Sequence, residues 1–208
     1  MNRKFSGFLA IAVIFSLSGC MGSSQPVPPD NYYRLRVDAP TNHTEQPSLP
    51  GVLSIAALGG DGLVSARALL FTDQDKSHAV RQHNYHFWAD SPTRLLQTEL
   101  VSYMRQRGIA ISVVTPQMRV RADYELVGKI KRLERILGKS SSHVVVELDL
   151  AVIRQSDRRL IMGDTYVVEI ESRDESVQSS VAALNVALGQ VFRSFSGALD
   201  QTAQTARR

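Results

Sequence analysis

Residues 144–152 read VVVELDLAV, and the alternation within this stretch decides the class of fold. Large apolar side chains occupy every second position, namely Val144, Val146, Leu148, Leu150 and Val152. Successive side chains of a strand point to opposite faces of the sheet, so this row shares one face. The stretch therefore predicts a long strand with one buried face and one face in water.

Other segments follow the same two-residue period. Tyr124, Leu126 and Ile130, with Gly128 in their row, predict a strand before this one, and Tyr166, Val168 and Ile170 predict a strand after it. Shorter strand-like runs occupy residues 32–37, 52–58, 68–71 and 79–88, and the last two suit a hairpin around residues 72–76. These runs predict a mostly antiparallel sheet.

Two segments change to the helical period. Asp90-Ser91-Pro92 is a typical helix start, and this helix should run from Pro92 to about Arg107 and stop at Gly108. Apolar residues then recur at spacings of four and three over Val177–Ala203, which predicts a long amphipathic helix. The expected fold is α+β, with these two principal helices packed on one face of the sheet.

The N-terminus carries a leader. An apolar run follows Arg3 and Lys4 and ends at Cys20, the only cysteine of the chain. A basic start and an apolar run too short to span a bilayer predict a signal peptide over residues 1–19. The sequence before Cys20, Leu-Ser-Gly, resembles a bacterial lipobox, which implies cleavage before Cys20 and its acylation, for example with palmitate. An ordinary signal peptide with a chance cysteine is the alternative.

The rest of the chain divides into three predicted segments. Residues 20–30 are a predicted flexible tether, residues 31–204 a single domain, and residues 205–208 a disordered tail. Without the leader the chain keeps 22 basic and 20 acidic residues, which argues against nucleic-acid binding. Acylated Cys20 would leave no thiol for a disulfide or a cysteine metal site. In lipoproteins of this kind, Met21 in place of an aspartate favours the outer membrane, periplasmic face, over the inner membrane.

Acidic side chains on the polar faces of the three long strands are the first candidate site; they are Asp123, Glu125, Glu147, Asp149, Glu169 and Glu171. Like charges opposite each other destabilise a sheet, so we expect a register that sets the acids against Lys129, Lys131 and Arg154. A solvated or partner-facing sheet is the favoured interpretation, and metal binding or acid catalysis the alternative.

Nothing in the sequence points to an enzyme. His83 and His86 fall in a predicted strand, where their spacing puts them on opposite faces and makes shared metal ligation improbable. The Gly59–Gly62 turn lacks the Gly-Lys-Ser/Thr of a phosphate-binding loop, and recognisable nucleophile signatures are absent. We expect no cofactor and no metal.

Trp88, Tyr33 and Tyr85 are the candidate partner-binding residues, with a core anchor as the alternative for Trp88.

Four features together resemble the auxiliary lipoproteins of ABC-type transport systems, the group that includes paraquat-inducible lipoprotein C. They are the lipobox at Cys20, the Tyr-Tyr-Arg-Leu run at 32–35, the Tyr85–Pro92 block leading into Leu95–Leu100, and Ala122–Gly128 at the head of a strand. The resemblance spans nearly the whole chain. It implies a non-catalytic periplasmic component that works with an MCE-domain protein, a permease and an ATPase in moving lipids between membranes.

Several alternatives stay open at this point. Our hypothesis for its role is docking of the transport assembly at the outer membrane through a sheet face or the final helix, and a homo-oligomer would enlarge the landing surface. The chain could instead be a lipid carrier, in which the apolar face of residues 144–150 opens as a cup. A third possibility is an envelope assembly factor that activates cell-wall enzymes.

Overall fold

The computed structural model describes residues 26–43, 46–139 and 141–206. Its strands are β1 (Asn31–Tyr33), β2 (Leu49–Ile55), β3 (Gly59–Gly60), β4 (Ala68–Asp73), β5 (Val80–Trp88), β6 (Ala110–Val114), β7 (Tyr124–Leu137), β8 (Ser142–Arg154) and β9 (Leu160–Glu171). Its α-helices are α1 (Pro92–Arg107) and α2 (Val177–Ala206), and short 3-10 turns lie at Gly62–Ser65, Gln74–Lys76 and Pro116–Met118. No helix in the described ranges is long and apolar enough to cross a membrane.

Strand β7 organises the sheet. One edge of β7 pairs antiparallel with β8 along almost its full length, and β8 pairs antiparallel with β9. The other edge receives β2, β3 and β4 in turn, all parallel to β7. β5 pairs antiparallel with β4, while β1 joins β5 and β6 joins β2 in parallel.

The predicted α+β class is confirmed, with a correction to the sheet, which is mixed. The three long strands and the β4–β5 hairpin are antiparallel, as expected. Three short strands, β2, β3 and β4, share the free edge of β7 one after another and pair with it in parallel. Each of them runs in the direction of β7, so the chain reaches β7 by crossover and not by a hairpin.

Both helices keep close to their predicted bounds. α1 has Pro92 in its first turn and ends at Gly108, whose φ of 71° is the left-handed conformation that glycine adopts without strain. α2 begins at Val177 as predicted but continues three residues past Ala203, to Ala206. Of the predicted tail 205–208, the first two residues thus belong to α2, and residues 207–208 lie outside the described residues.

The core lies between the sheet and the two helices. The predicted row on β8, residues 144, 146, 148, 150 and 152, is at most 1% exposed. It is covered by α2, where Phe195 meets the Tyr166 ring edge-on at 5.8 Å. α1 joins the same core, with the Tyr103 and Phe192 rings 5.5 Å apart. Full burial of each such aliphatic side chain contributes about 1.5–3 kcal/mol, so this layer is the main source of stability.

Substitution of two glycines should change the free energy of unfolding in opposite directions. A Cβ on Gly128 would lie 2.3 Å from the Asp149 carbonyl oxygen, whereas a Cβ on Gly197 in α2 would have nothing within 4 Å. Gly128→Ala should lower the free energy of unfolding by about 2–3 kcal/mol, because the backbone of β8 must move. Gly197→Ala should raise it by about 0.5–1 kcal/mol through helix propensity. Urea denaturation measures both; equal effects of the two variants would show that the β7–β8 contact is looser than described.

Candidate functional site

The segment that follows β1 packs between the two helices. Residues 34–43, which we call the strap, have no regular secondary structure. Leu35 is buried in the core at 4% exposure. The Arg36 amide donates to Asn185 Oδ1 of α2 at 3.1 Å, and the Val37 amide donates to Glu99 Oε2 of α1 at 2.8 Å. The strap is therefore hydrogen-bonded to both helices at once. The predicted strand 32–37 is correspondingly shorter, ending at Tyr33.

A second set of contacts ties this region to the far ends of the helices. Arg107, at the end of α1, donates to the carbonyl oxygen of Asn42 at 3.0 Å and to Asp200 of α2 at 2.6 Å. Both side chains of the Arg107–Asp200 pair are 16% exposed. Ser48 Oγ also donates to Asp200. An ion pair shielded to this degree costs several kcal/mol to break from one side, so it holds the helix ends together.

The predicted partner-binding residues have different surroundings. Trp88 is 1% exposed and belongs to the core, so the core-anchor alternative describes it and it offers no surface to a partner. Tyr33 is half-buried, its hydroxyl lies 2.9 Å from His86 Nδ1, and burial raises its pKa. Tyr85 is half-buried, and its carbonyl oxygen accepts a hydrogen bond from Asn31 Nδ2. The three do not form one exposed patch.

Tyr32 is the exposed aromatic residue beside the tether. It is 58% exposed, and the Arg67 guanidinium carbon lies 5.4 Å from its ring centroid, a cation–π geometry. Its ring also packs against Phe87 at 5.8 Å. Sequence reasoning named Tyr33 instead of Tyr32. Neighbouring side chains of a strand face opposite sides. Tyr33 is on the same side as the buried Leu35, so Tyr32 is on the exposed side.

His83 and His86 correct the prediction that they lie on opposite faces. Their rings meet edge-on at 5.3 Å. The physical reason is an irregularity in the β4–β5 pairing, since Ala68 pairs with Phe87 while Leu70 pairs with Gln82, which leaves extra residues on β5. A bulge of this kind resets which face each following side chain occupies.

These histidines lie beside a buried cation. His83 packs on Phe71 at 4.6 Å, and neither His83 Nε2 nor Arg135 Nε has a hydrogen-bond partner within the described part of the chain. Arg135 does bond through Nη2 to the carbonyl oxygen of Glu175, at 2.7 Å. Burial, helped by the positive charge of Arg135, lowers the pKa of His83 to about 4. The neutral form of His83 is therefore part of the folded structure at neutral pH.

The acidic strands carry their own counter-charges. Lys129 stands opposite Asp149 in the β7–β8 register, and Lys131 Nζ lies 2.9 Å from Glu147 and 3.9 Å from Asp149. The expected offset holds for Lys129 and Lys131, whereas Arg154 stands opposite Tyr124 and pairs with Asp157 of the β8–β9 turn. Within the described ranges, no group of three or more histidine, cysteine, aspartate or glutamate side chains is placed to hold a metal ion. The acids of β8 are thus paired with the lysines of β7.

The comparisons with known proteins agree with this geometry. The sequence model of the ABC-type transport auxiliary lipoprotein component matches residues 33–195. The chain belongs to this family. The matched region begins at the last residue of β1 and ends in α2, so it contains the strap, strands β2 to β9 and most of the helix layer. The family is one of auxiliary transport components and is not a known enzyme family. No curated protein matches the sequence significantly.

Solved structures share the family fold. Protein XCC0632 from Xanthomonas campestris, assigned to family DUF330, superposes with a TM-score of 0.74 at 21% identity, over 85% of this chain and 98% of its own. An uncharacterized protein superposes with a TM-score of 0.63 at 13% identity, over 83% of this chain and 99% of its own. At such identities the likeness shows the fold alone.

The His83 cluster makes stability depend on pH. Because the folded pKa of His83 lies below the value of 6.5 for a free histidine, the unfolded chain binds the proton more tightly. The free energy of unfolding should therefore be highest above about pH 6.5 and fall between pH 6.5 and 4, by about 1–2 kcal/mol after allowance for partial exposure. Thermal unfolding between pH 4 and 8 measures this slope.

A matched pair of variants isolates the group responsible. His83→Gln should reduce the slope, because the titrating group is gone. His78→Gln, at an exposed position in the β4–β5 loop, should leave it as in the wild type. An unchanged slope in His83→Gln would assign the pH dependence to other groups.

Proposed function

We propose that the protein is a lipid-anchored, non-catalytic component that docks an MCE/ABC-type lipid transport assembly at the periplasmic face of the outer membrane. Membership of the auxiliary lipoprotein family supports the transport role. The lipobox supports acylation at Cys20, which lies outside the described residues, as do the signal peptide and residues 20–25 of the tether. Met21 favours the outer membrane.

The strap is the observation that carries this proposal. Residues 21–30 would reach roughly 30 Å at about 3.1 Å each in a polyproline conformation, so acyl chains on Cys20 would hold the domain near its leaflet. The chain then enters β1 and passes directly into the strap, where Asn185 and Glu99 bind its amides. A force applied at the anchor would therefore be transmitted through the strap to both helices. That arrangement suits a scaffold between a membrane and an assembly.

We assign the chemistry of transport to partner proteins. Gly59 and Gly60 pair with Lys129 and Ile130 of β7, so this glycine turn is a small strand in the sheet. ATP hydrolysis would belong to an ATPase subunit, with a permease and an MCE-domain protein completing the system. Tyr33 and Tyr85 stay proposed contributors to partner binding, and a homo-oligomer stays part of the proposal as a way to enlarge the landing surface.

The alternative functions receive less support. A lipid-binding cup would need the face formed by Val144, Val146, Leu148 and Leu150 to open, yet each is at most 1% exposed under α2. Opening it would return all four side chains to water at about 1.5–3 kcal/mol each. No contact in the described residues specifically favours the envelope assembly factor.

Two substitutions at the N-terminus test the anchor. Cys20→Ala should abolish incorporation of radiolabelled palmitate and release the protein from the membrane fraction, because no sulfur remains to be acylated. Met21→Asp, the matched control, should keep the label and move the protein to the inner membrane. Membrane fractionation on a sucrose gradient measures both, alongside lipid transport by the same cells.

The proposal makes the anchor necessary. If Cys20→Ala protein still fractionates with the outer membrane and still supports lipid transport, the docking role fails.

A further inference from the structure

Two loops meet at one end of the sheet. The β6–β7 loop, residues 115–123, and the β8–β9 turn, residues 155–159, lie side by side, and the Gln155 amide donates to the carbonyl oxygen of Asp123 at 2.8 Å. Together with Leu160 we call them the basic end. They border an open cleft of about 580 Å³ whose lining includes Val120, Arg121 and Ser156.

Positive charge at the basic end is not compensated. Arg119, Arg121 and Arg159 are exposed, and within the described part of the chain their side chains make no ion pair or hydrogen bond. The acids beside them are already engaged. Asp157 binds Arg154 at 2.8 Å, and Glu125 accepts from Gln155 Nε2 at 2.7 Å. Asp123 accepts from the Val52 amide at 2.8 Å.

Large apolar side chains are exposed next to these arginines in the sequence. Met118, Val120 and Leu160 are 56%, 51% and 58% exposed. They alternate with Arg119 and Arg121 along the first loop, and Leu160 follows Arg159 directly. Exposed methionine and arginine side chains in one patch are typical of protein–protein interfaces, and unpaired guanidinium groups bind carboxylates in a planar, two-bonded geometry.

Strand directions place this patch away from the start of β1. β1 runs parallel to β5, which runs opposite to β4 and β7. The chain before Asn31 therefore leaves toward the Leu137 end of β7, whereas the basic end adjoins Tyr124 at its start. Asn31 lies beside β5 at about the level of Arg132, so roughly 25–30 Å of strand, at about 3.3 Å per residue, separates it from the basic end. Asn31, where the described chain enters the sheet, and the basic end therefore lie at different levels of the sheet.

We propose that the basic end is the docking surface for an acidic protein partner, whose carboxylates bind the free arginines around a contact with Met118, Val120 and Leu160. This inference rests on the proposed function and names the surface that receives the transport assembly. A protein fits better than a lipid bilayer because exposed methionine and arginine side chains are the ones enriched at protein–protein interfaces. The acidic character follows from the unpaired arginines.

Site-specific photo-crosslinking in cells that make the full-length, acylated protein tests the surface. Benzoylphenylalanine replaces Val120 at the basic end or, as the positional control, Val80 at the far end of β5, which is 43% exposed. Val120 should crosslink to a peptide of a second protein that is rich in aspartate and glutamate. Peptide mapping by mass spectrometry identifies that sequence.

Charge reversal tests the mechanism. The variant carrying Arg119→Glu, Arg121→Glu and Arg159→Glu should lower the Val120 crosslink yield at least about tenfold, since repulsion replaces attraction at the rim. The matched variant carrying Lys76→Glu, Lys139→Glu and Arg173→Glu changes the net charge equally at the other end of the sheet and should leave the yield unchanged.

The other outcomes overturn the inference. Crosslinks from Val120 to phospholipid would make the basic end a membrane contact, and crosslinks to a second copy of this chain would make it a self-association surface. No crosslink, or a yield insensitive to charge reversal, would remove it as a docking surface. Co-purification of the wild-type protein with the transport assembly is measured in parallel: if it persists while Val120 fails to crosslink, the docking function stands and only the choice of surface is wrong.

Discussion

The inner face of the β7–β8–β9 meander must be kept from water, and the rest of the structure depends on how this is achieved. β8 contributes an unbroken apolar row to that face, and α2 supplies the side chains that cover it. α1 covers the region of β2 and β6 instead. The two helices therefore share one core while resting on different parts of the sheet, and the space between them has to be filled by something else.

The strap fills that space. Leu35 supplies the apolar contact, and the amides of Arg36 and Val37 find acceptors on Asn185 and Glu99. A backbone amide without a partner in such a place would cost about 1–3 kcal/mol, so these side-chain acceptors determine where the segment lies. Because only β1 separates the strap from the tether, the segment that joins the two helices lies close in sequence to the proposed anchor.

Sequence periodicity predicted the elements whose apolar residues recur at regular spacing. It did not predict the sheet topology, which depends on pairing between distant segments. The β8 row and both helices were readable because their spacing is regular over many residues. The parallel partners of β7 were not, since nothing local says which edge a short strand joins. The β5 bulge was also hidden, because it depends on the register against β4, and it is what brings His83 and His86 together.

The candidate sites divide in the same way. Cys20 stays a prediction, and it rests on local sequence alone because the run that resembles a lipobox is contiguous. The sequence left two roles for Trp88, partner binding and core anchor, and only its burial in the structure decides for the core. The basic end could not be predicted from the sequence because Arg119 and Arg159 are far apart in it. Only the pairing of Tyr124 with Arg154 brings their loops together.

Hydrogen exchange at the amides of Arg36 and Val37 tests most directly the claim that the strap is a fixed part of the helix layer. Residue-resolved measurement on the full-length protein should find both amides protected to nearly the same degree as the buried amides of α1 and α2. Exchange at the rate of an open loop would contradict the account, because the anchor would then be joined to the domain by a free segment.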